Sequence, residues 1–276
     1  MVNQSNVSKK IQMRASIEWH QLVGVNEAIA PTPQNRLAVK QPPADPIPLQ
    51  PSPSDHTHEV LASPKTLPRS SDQPKKSAIE LAATANTLSA LRRSLESFEG
   101  CTLMKTATNL VFADGQIGSK ILFIGEAPGA EEDREGVPFV GPSGRLLDKM
   151  LASIELRRSD VMISNLVFWR PPGNRTPTQQ EAAICMPFVE RLIELVSPQI
   201  LVPLGGPAAK SLLGQTQGIG RLRGKWYNFE TSRTPYPIPS TPIFHPAYLL
   251  RTPMQKRTAW SDLRLIRNKL NSAQHT

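Results

Sequence analysis

Apolar side chains recur along the chain in two rhythms, and the change between them marks out the elements. Leu81, Leu88, Leu91, Leu95 and Phe98 follow one another at spacings of 7, 3, 4 and 3, which predicts one helical stripe closed by Gly100. From Lys120 onward, short apolar runs alternate with helical patterns. Ile121 to Ile124 runs into Gly125, Val161 to Ser164 into Asn165, Ile200 to Leu204 into Gly205-Gly206, and Pro242 to Phe244 into His245. Between them lie a helix carrying Leu146, Leu147, Met150 and Leu151, and another opened by the Thr178/Glu181 capping box with Ile184, Phe188, Leu192, Leu195 and Val196 on one face. A last helix carries Trp260, Leu263, Ile266 and Leu270. This alternation predicts an α/β fold, three layers deep (α-β-α), around a central, mainly parallel four-stranded sheet.

The N-terminal part follows neither rhythm for long. Met13, Ile17, Trp19, Leu22 and Val23 predict a short amphipathic helix and tail within residues 1–30. Residues 31–77 then read as a proline-rich linker: eleven of the chain's 27 prolines fall between Pro31 and Pro74, in a window with no Gly, Phe, Trp or Tyr. Such a segment buries too little apolar surface to offset the entropy of ordering it, so a disordered extension is expected ahead of a folded domain over 78–276. No run approaches the roughly 18 consecutive apolar residues of a membrane span, and Met1 to Lys10 lacks the apolar core of a signal peptide. A soluble, cytoplasmic protein without membrane contact is expected.

Charge adds a partner class. Residues 101–276 hold 21 Lys and Arg against 14 Asp and Glu, a net of +7, whereas residues 1–100 hold 11 against 9. The basic excess sits in the folded part, and a polyanion such as nucleic acid is the plainest partner, with a merely well-solvated basic surface as the bland alternative.

The unusual residues gather where the runs end. GEAPG at 125–129, Asn165, Gly205-Gly206 and HPAYLLR at 245–251 each follow an apolar run, and in open α/β sheets ligands bind at the carboxyl ends of the strands. Four such turns in order predict one shared pocket. A nucleotide-binding Rossmann enzyme is disfavoured, because GEAPGA lacks the G-x-G-x-x-G spacing.

GEAPGAEED (125–133), PFVGPSG (138–144), SNLVFWRPPGNRTPT (164–178) and HPAYLLRTP (245–253) together resemble the uracil-DNA glycosylase superfamily, its family 4 most of all, from about Gly100 to Leu270. The resemblance implies a DNA repair hydrolase that flips uracil out of DNA and cleaves its N-glycosidic bond, leaving an abasic site. It assigns Phe139 to stacking on the base, Asn165 and Ala127 to binding uracil, and His245 to stabilising the uracil anion. Asn165 presents a donor and an acceptor side by side, complementary to N3-H and O4 of uracil. Glu126, Glu132 and Asp133 are the acidic candidates for positioning water; the resemblance favours Glu126, with Glu132 as an electrostatic partner of the cationic sugar, and either also reads as a helix-start acid. Ser143, Gly144, Arg170, Arg175, Leu249, Leu250 and Arg251 are expected at the DNA, with Leu249 and Leu250 as a wedge, although two core leucines is the plainer reading.

One part of the resemblance is broken. Family 4 proteins usually carry a [4Fe-4S] cluster on four cysteines, and the matching positions here are Cys101, Met104, Trp169 and Cys185. No cofactor and no metal are therefore expected, with Cys101 and Cys185 as relics of the cluster site. Uracil-containing DNA is the expected partner of a monomer, and the N-terminal helix is a candidate contact for a repair or replication protein. The competing reading is a non-catalytic DNA-binding or DNA-polymerase-associated module that kept the fold.

Overall fold

The computed structural model describes residues 73–272; the amphipathic helix expected within residues 1–30 and the linker up to 72 lie outside them. Helix α1 (Gln73–Thr84) already occupies the last residues assigned to the linker. The expected stripe from Leu81 to Phe98 is two helices, because Thr87 caps the start of α2 (Leu88–Glu96) by accepting the Ala90 N–H. Thr and Ser near helix starts compete for backbone donors in this way, and a periodicity count is blind to it.

Among the described residues the sheet has six strands: β1 (Ala113–Asp114), β2 (Ile121–Gly125), β3 (Met162–Asn165), β4 (Ile200–Pro203), β5 (Tyr227–Phe229) and β6 (Ile238–Ser240). Their order is β1-β3-β2-β4-β6-β5. The inner four are parallel, as expected, while β1 and β5 are antiparallel edges too short to leave a period in the sequence. The fourth parallel strand begins earlier than Pro242. Its ladder onto β4 continues past Ser240, with Thr241 donating to Leu201, Ile243 to Pro203, and Gly205 back to Ile243. Pro242 fits between two donors that face β4, so its missing N–H interrupts nothing.

β2, β3 and β4 are buried on both faces, which is why each reads as a mainly apolar run. Leu122, Ile124, Met162 and Leu201 face one core, closed by α1, α2 and the long helix α5 (Gln179–Val196). Ile121, Phe123, Ile163 and Val202 face the other. That side is closed by α4 (Pro142–Ala152), α8 (Pro246–Arg251) and α9 (Lys256–Ser272). The short helices α3 (Ala130–Glu135), α6 (Gly206–Leu213) and α7 (Ile219–Leu222) complete the fold. Trp260 departs from expectation: it stands beside the buried stripe, 46% exposed, with the Arg264 guanidinium over its ring. Among the described residues no helix is long and apolar enough to cross a membrane.

Candidate active site

The turns after β2, β3, β4 and the β6 extension converge on a cavity of about 820 Å³ lined by Glu126, Ala127, Phe139, Asn165, Gly205 and His245, among others. Three backbone features let these groups approach. A Cβ on Gly125 would lie 2.4 Å from Asn165 Oδ1 and 2.6 Å from Phe139 Cζ, and one on Gly144 would lie 1.7 Å from the Phe139 carbonyl. Gly205 turns out of β4 at φ 90°, a conformation a side chain disfavours, directly beneath the His245 Cβ.

Asn165 ends β3 fully buried, and neither its Oδ1 nor its Nδ2 has a hydrogen-bond partner among the described residues. Each unpaired buried polar atom costs about 1 to 3 kcal/mol, so the folded protein holds an amide edge ready for a ligand. The Phe139 ring, itself buried, lies 5.6 Å from the His245 ring. His245 caps α8 with its own side chain: Nδ1 accepts the Ala247 N–H at 3.1 Å. In the neutral ring this leaves Nε2 to carry the proton. Burial, with the nearby Arg251 charge second, lowers the His245 pKa to about 4, so the ring is a neutral donor at physiological pH.

The acidic groups divide. Glu126, at the exit of β2, is half-buried, and desolvation raises its pKa against the opposing effect of a hydrogen bond with Thr176. A carboxylate tuned upward suits proton abstraction. Glu132 is buried and braces the backbone, accepting from Gly129 N–H at 3.1 Å and Gly141 N–H at 2.8 Å, which ties the first turn to the loop carrying Phe139. Asp133 similarly accepts the Thr108 and Asn109 N–H groups.

The residues expected at DNA are also sorted. Ser143 lines the cavity at the start of α4, and Gly144 serves the close packing beneath Phe139. Arg170 donates to Asn174 at 2.7 Å. Arg175 makes a two-point ion pair with Glu181, whose pKa it holds down at about 2. The wedge needs correcting: Leu249 is 1% exposed and belongs to the core, because the turn of α8 points it at α4, and Leu250 alone stands out at 43%. Arg251 is exposed at the rim. Thr176 and Tyr248 also line the cavity; both lie inside motifs already quoted, yet nothing in their residue type marked them.

Cys101, Cys185 and Trp169 are buried in the same core, with Met104 packed against it. The two thiols face each other: the Cys185 neighbour lowers the Cys101 pKa, while Cys101 and burial push Cys185 up. Two thiols, a thioether and an indole cannot supply four thiolates, so this donor set does not fit a [4Fe-4S] cluster. Among the described residues, no three His, Cys, Asp or Glu side chains gather as metal ligands.

Residues 112–264 match the model of the uracil DNA glycosylase superfamily. The chain belongs to this superfamily. It is 40% identical over 178 residues to the type-4 uracil-DNA glycosylase of Archaeoglobus fulgidus, spanning 63% of this chain and 88% of the relative. The corresponding protein of Saccharolobus solfataricus is 39% identical over 62% of this chain and 81% of its own length. That of Thermotoga maritima is 41% identical over 55% and 77%. The superfamily match begins just before β1 and ends within α9, so it contains every turn that lines the cavity.

Proposed function

We propose that this protein is a uracil-DNA glycosylase that extracts the base from DNA, hydrolyses its N-glycosidic bond and leaves an abasic site. The unpaired buried amide of Asn165 carries this reading. A base inside a duplex is out of reach, so it must leave the stack and enter the cavity. There Asn165 accepts from N3-H and donates to O4, satisfying its two orphan atoms, while the reversed edge of cytosine leaves both unpaired and is penalised. Phe139 covers one face of the base. Ala127 lines the same slot.

Cleavage sends the bonding electron pair to uracil and leaves a cationic sugar. A neutral His245 donating from Nε2 to O2 stabilises the anion as it forms. Glu126 orients water and accepts its proton as the oxygen bonds to the sugar carbon. Glu132, already held by two backbone donors, contributes negative charge on the side of the cation. Leu250 fills the gap in the stack, and Arg251, with Ser143 at its helix start, meets phosphate. Arg170 and Arg175 act at the DNA by shaping the loop between them. No step uses a metal or a cluster, in keeping with the donor set around Cys101. The substrate is uracil-containing DNA met by a single copy of the chain in the cytoplasm, and we assign the contact with a repair or replication protein to residues 1–30.

The test is a panel of labelled oligonucleotides holding U, T, hypoxanthine, xanthine or C, incubated with the full chain in EDTA and developed with alkali. Cleavage at U is expected. The absence of cleavage at every deaminated base after long incubation favours the non-catalytic module instead.

A further inference from the structure

Phe139 has φ 54°, in the left-handed region that an aromatic residue rarely adopts and that persists only where the surroundings enforce it. The loop that carries it is held by Arg158, in the turn before β3, which does not line the cavity. Its guanidinium donates from Nη1 to the Phe139 carbonyl at 2.8 Å and from Nη2 to the Pro138 carbonyl at 2.5 Å. The same group is anchored from behind, by Nε to Asp114 at 2.7 Å and Nη1 to Asp148 at 3.2 Å. One anchor belongs to β1 and the other to α4, so the fork cannot swing without breaking contacts to two elements. The missing side chains of Gly125 and Gly144 leave the space that the Phe139 ring and carbonyl occupy.

We infer that Arg158 is a positioning residue for base excision: its planar fork pins the Pro138 and Phe139 carbonyls and so keeps the Phe139 ring in the slot beside Asn165 and His245. The inference rests on the stacking role proposed above for Phe139. A fork is needed because two adjacent carbonyls and two carboxylates must be met in one plane. A lysine in this place keeps a positive charge between Asp114 and Asp148 but cannot span both carbonyls. Freed of the clamp, Phe139 relaxes toward negative φ, and its ring leaves the base face.

The test is a double-mutant cycle on the full chain, read as single-turnover excision of uracil from an oligonucleotide, with thermal melting recorded for each variant. Arg158→Met and Arg158→Lys are each expected to lower excision about 10- to 100-fold below saturation, with Arg158→Lys melting within a few degrees of the parent. In a Phe139→Ala background, either substitution should add less than a twofold loss, because the ring it positions is gone. A purely structural role gives the same loss in both backgrounds, and that result overturns the inference. So does full excision by Arg158→Lys, which also decides the matter if Arg158→Met does not fold. If Phe139→Ala alone excises uracil normally, the stacking reading fails; if it is impaired while both Arg158 variants are not, only the clamp fails.

Discussion

Asn165 and Trp169 lie four residues apart in one segment, yet the protein treats their surroundings in opposite ways. Around Asn165 it tolerates two buried amide atoms with no partner, a phenylalanine at positive φ and a histidine kept neutral by burial. Around Trp169 the residues at the family's cluster positions are packed with apolar and sulfur groups, and the indole meets Phe168 edge-on. The first region holds unfavourable terms at the wall of a cavity that a ligand can enter. The second is filled by packed side chains whose donor set does not fit the family's cluster. Polar groups left unsatisfied thus distinguish the region to which the proposed chemistry belongs, and a filled interior the one expected to serve stability.

The largest separation between the regions is expected at Glu126. Glu126→Gln should lower the single-turnover rate by roughly 10²- to 10⁴-fold, the usual range for a general base. Its pKa is raised in the folded state, so excision by the parent should climb with pH through a point above the ordinary carboxylate range. His245, with a pKa of about 4, is neutral at the physiological end of that climb. Stability should move the other way. A carboxyl with a raised folded pKa disfavours the fold once pH exceeds its unfolded pKa, so Glu126→Gln should melt higher than the parent at pH 7 and no higher in acid. A pH–rate profile unchanged by the substitution would remove Glu126 from the chemistry.

Trp169→Ala should do the reverse. Removing a 3% exposed indole from the core should cost about 3 to 5 kcal/mol of stability, read by urea unfolding. The excision rate per folded molecule should remain within a few-fold, since Trp169 does not line the cavity. A selective loss of rate with stability intact would mean that this region still communicates with the site.

Asn165→Ala sharpens the contrast within the site. Excision of uracil should fall about 10- to 100-fold, the scale of one or two hydrogen bonds to a buried edge. The melting temperature should hold or rise, because two unsatisfied atoms disappear. A drop in melting temperature would show that Asn165 has structural partners after all.

How much of this was visible in the sequence differs between the same regions. β2, β3, β4 and α4, α5 and α9 were legible because burial on one or two faces imposes a period or a run, whereas β6 (Ile238–Ser240) begins ahead of the run at Pro242 that pointed to it. The edges β1 and β5 were not, since strands of two and three residues leave no period. The site residues were legible as motifs at strand ends. What a motif cannot carry is direction: Leu249 and Leu250 are adjacent and chemically alike, and only the helical turn sends one into the core. Arg158 left no signal, because its role depends on carbonyls 19 and 20 residues away.

The smallest effect is expected at the two cysteines. Both are free and fully buried, and replacing each by alanine removes one sulfur from packed surroundings, about 1 kcal/mol apiece by analogy with other small core truncations. The double variant Cys101→Ala with Cys185→Ala should therefore fold, melt a few degrees lower and excise uracil at the parent rate. The parent itself, purified in air, should be colourless and free of stoichiometric iron. The indole of Trp169 offers only an N–H donor and no lone pair for a metal, and the Met104 thioether is a poor substitute for a thiolate. Iron bound in proportion to protein, or excision lost in a double variant that still folds, would show a metal held by the two thiols with a further ligand. The contrast between a site kept for chemistry and a site filled for packing would then collapse.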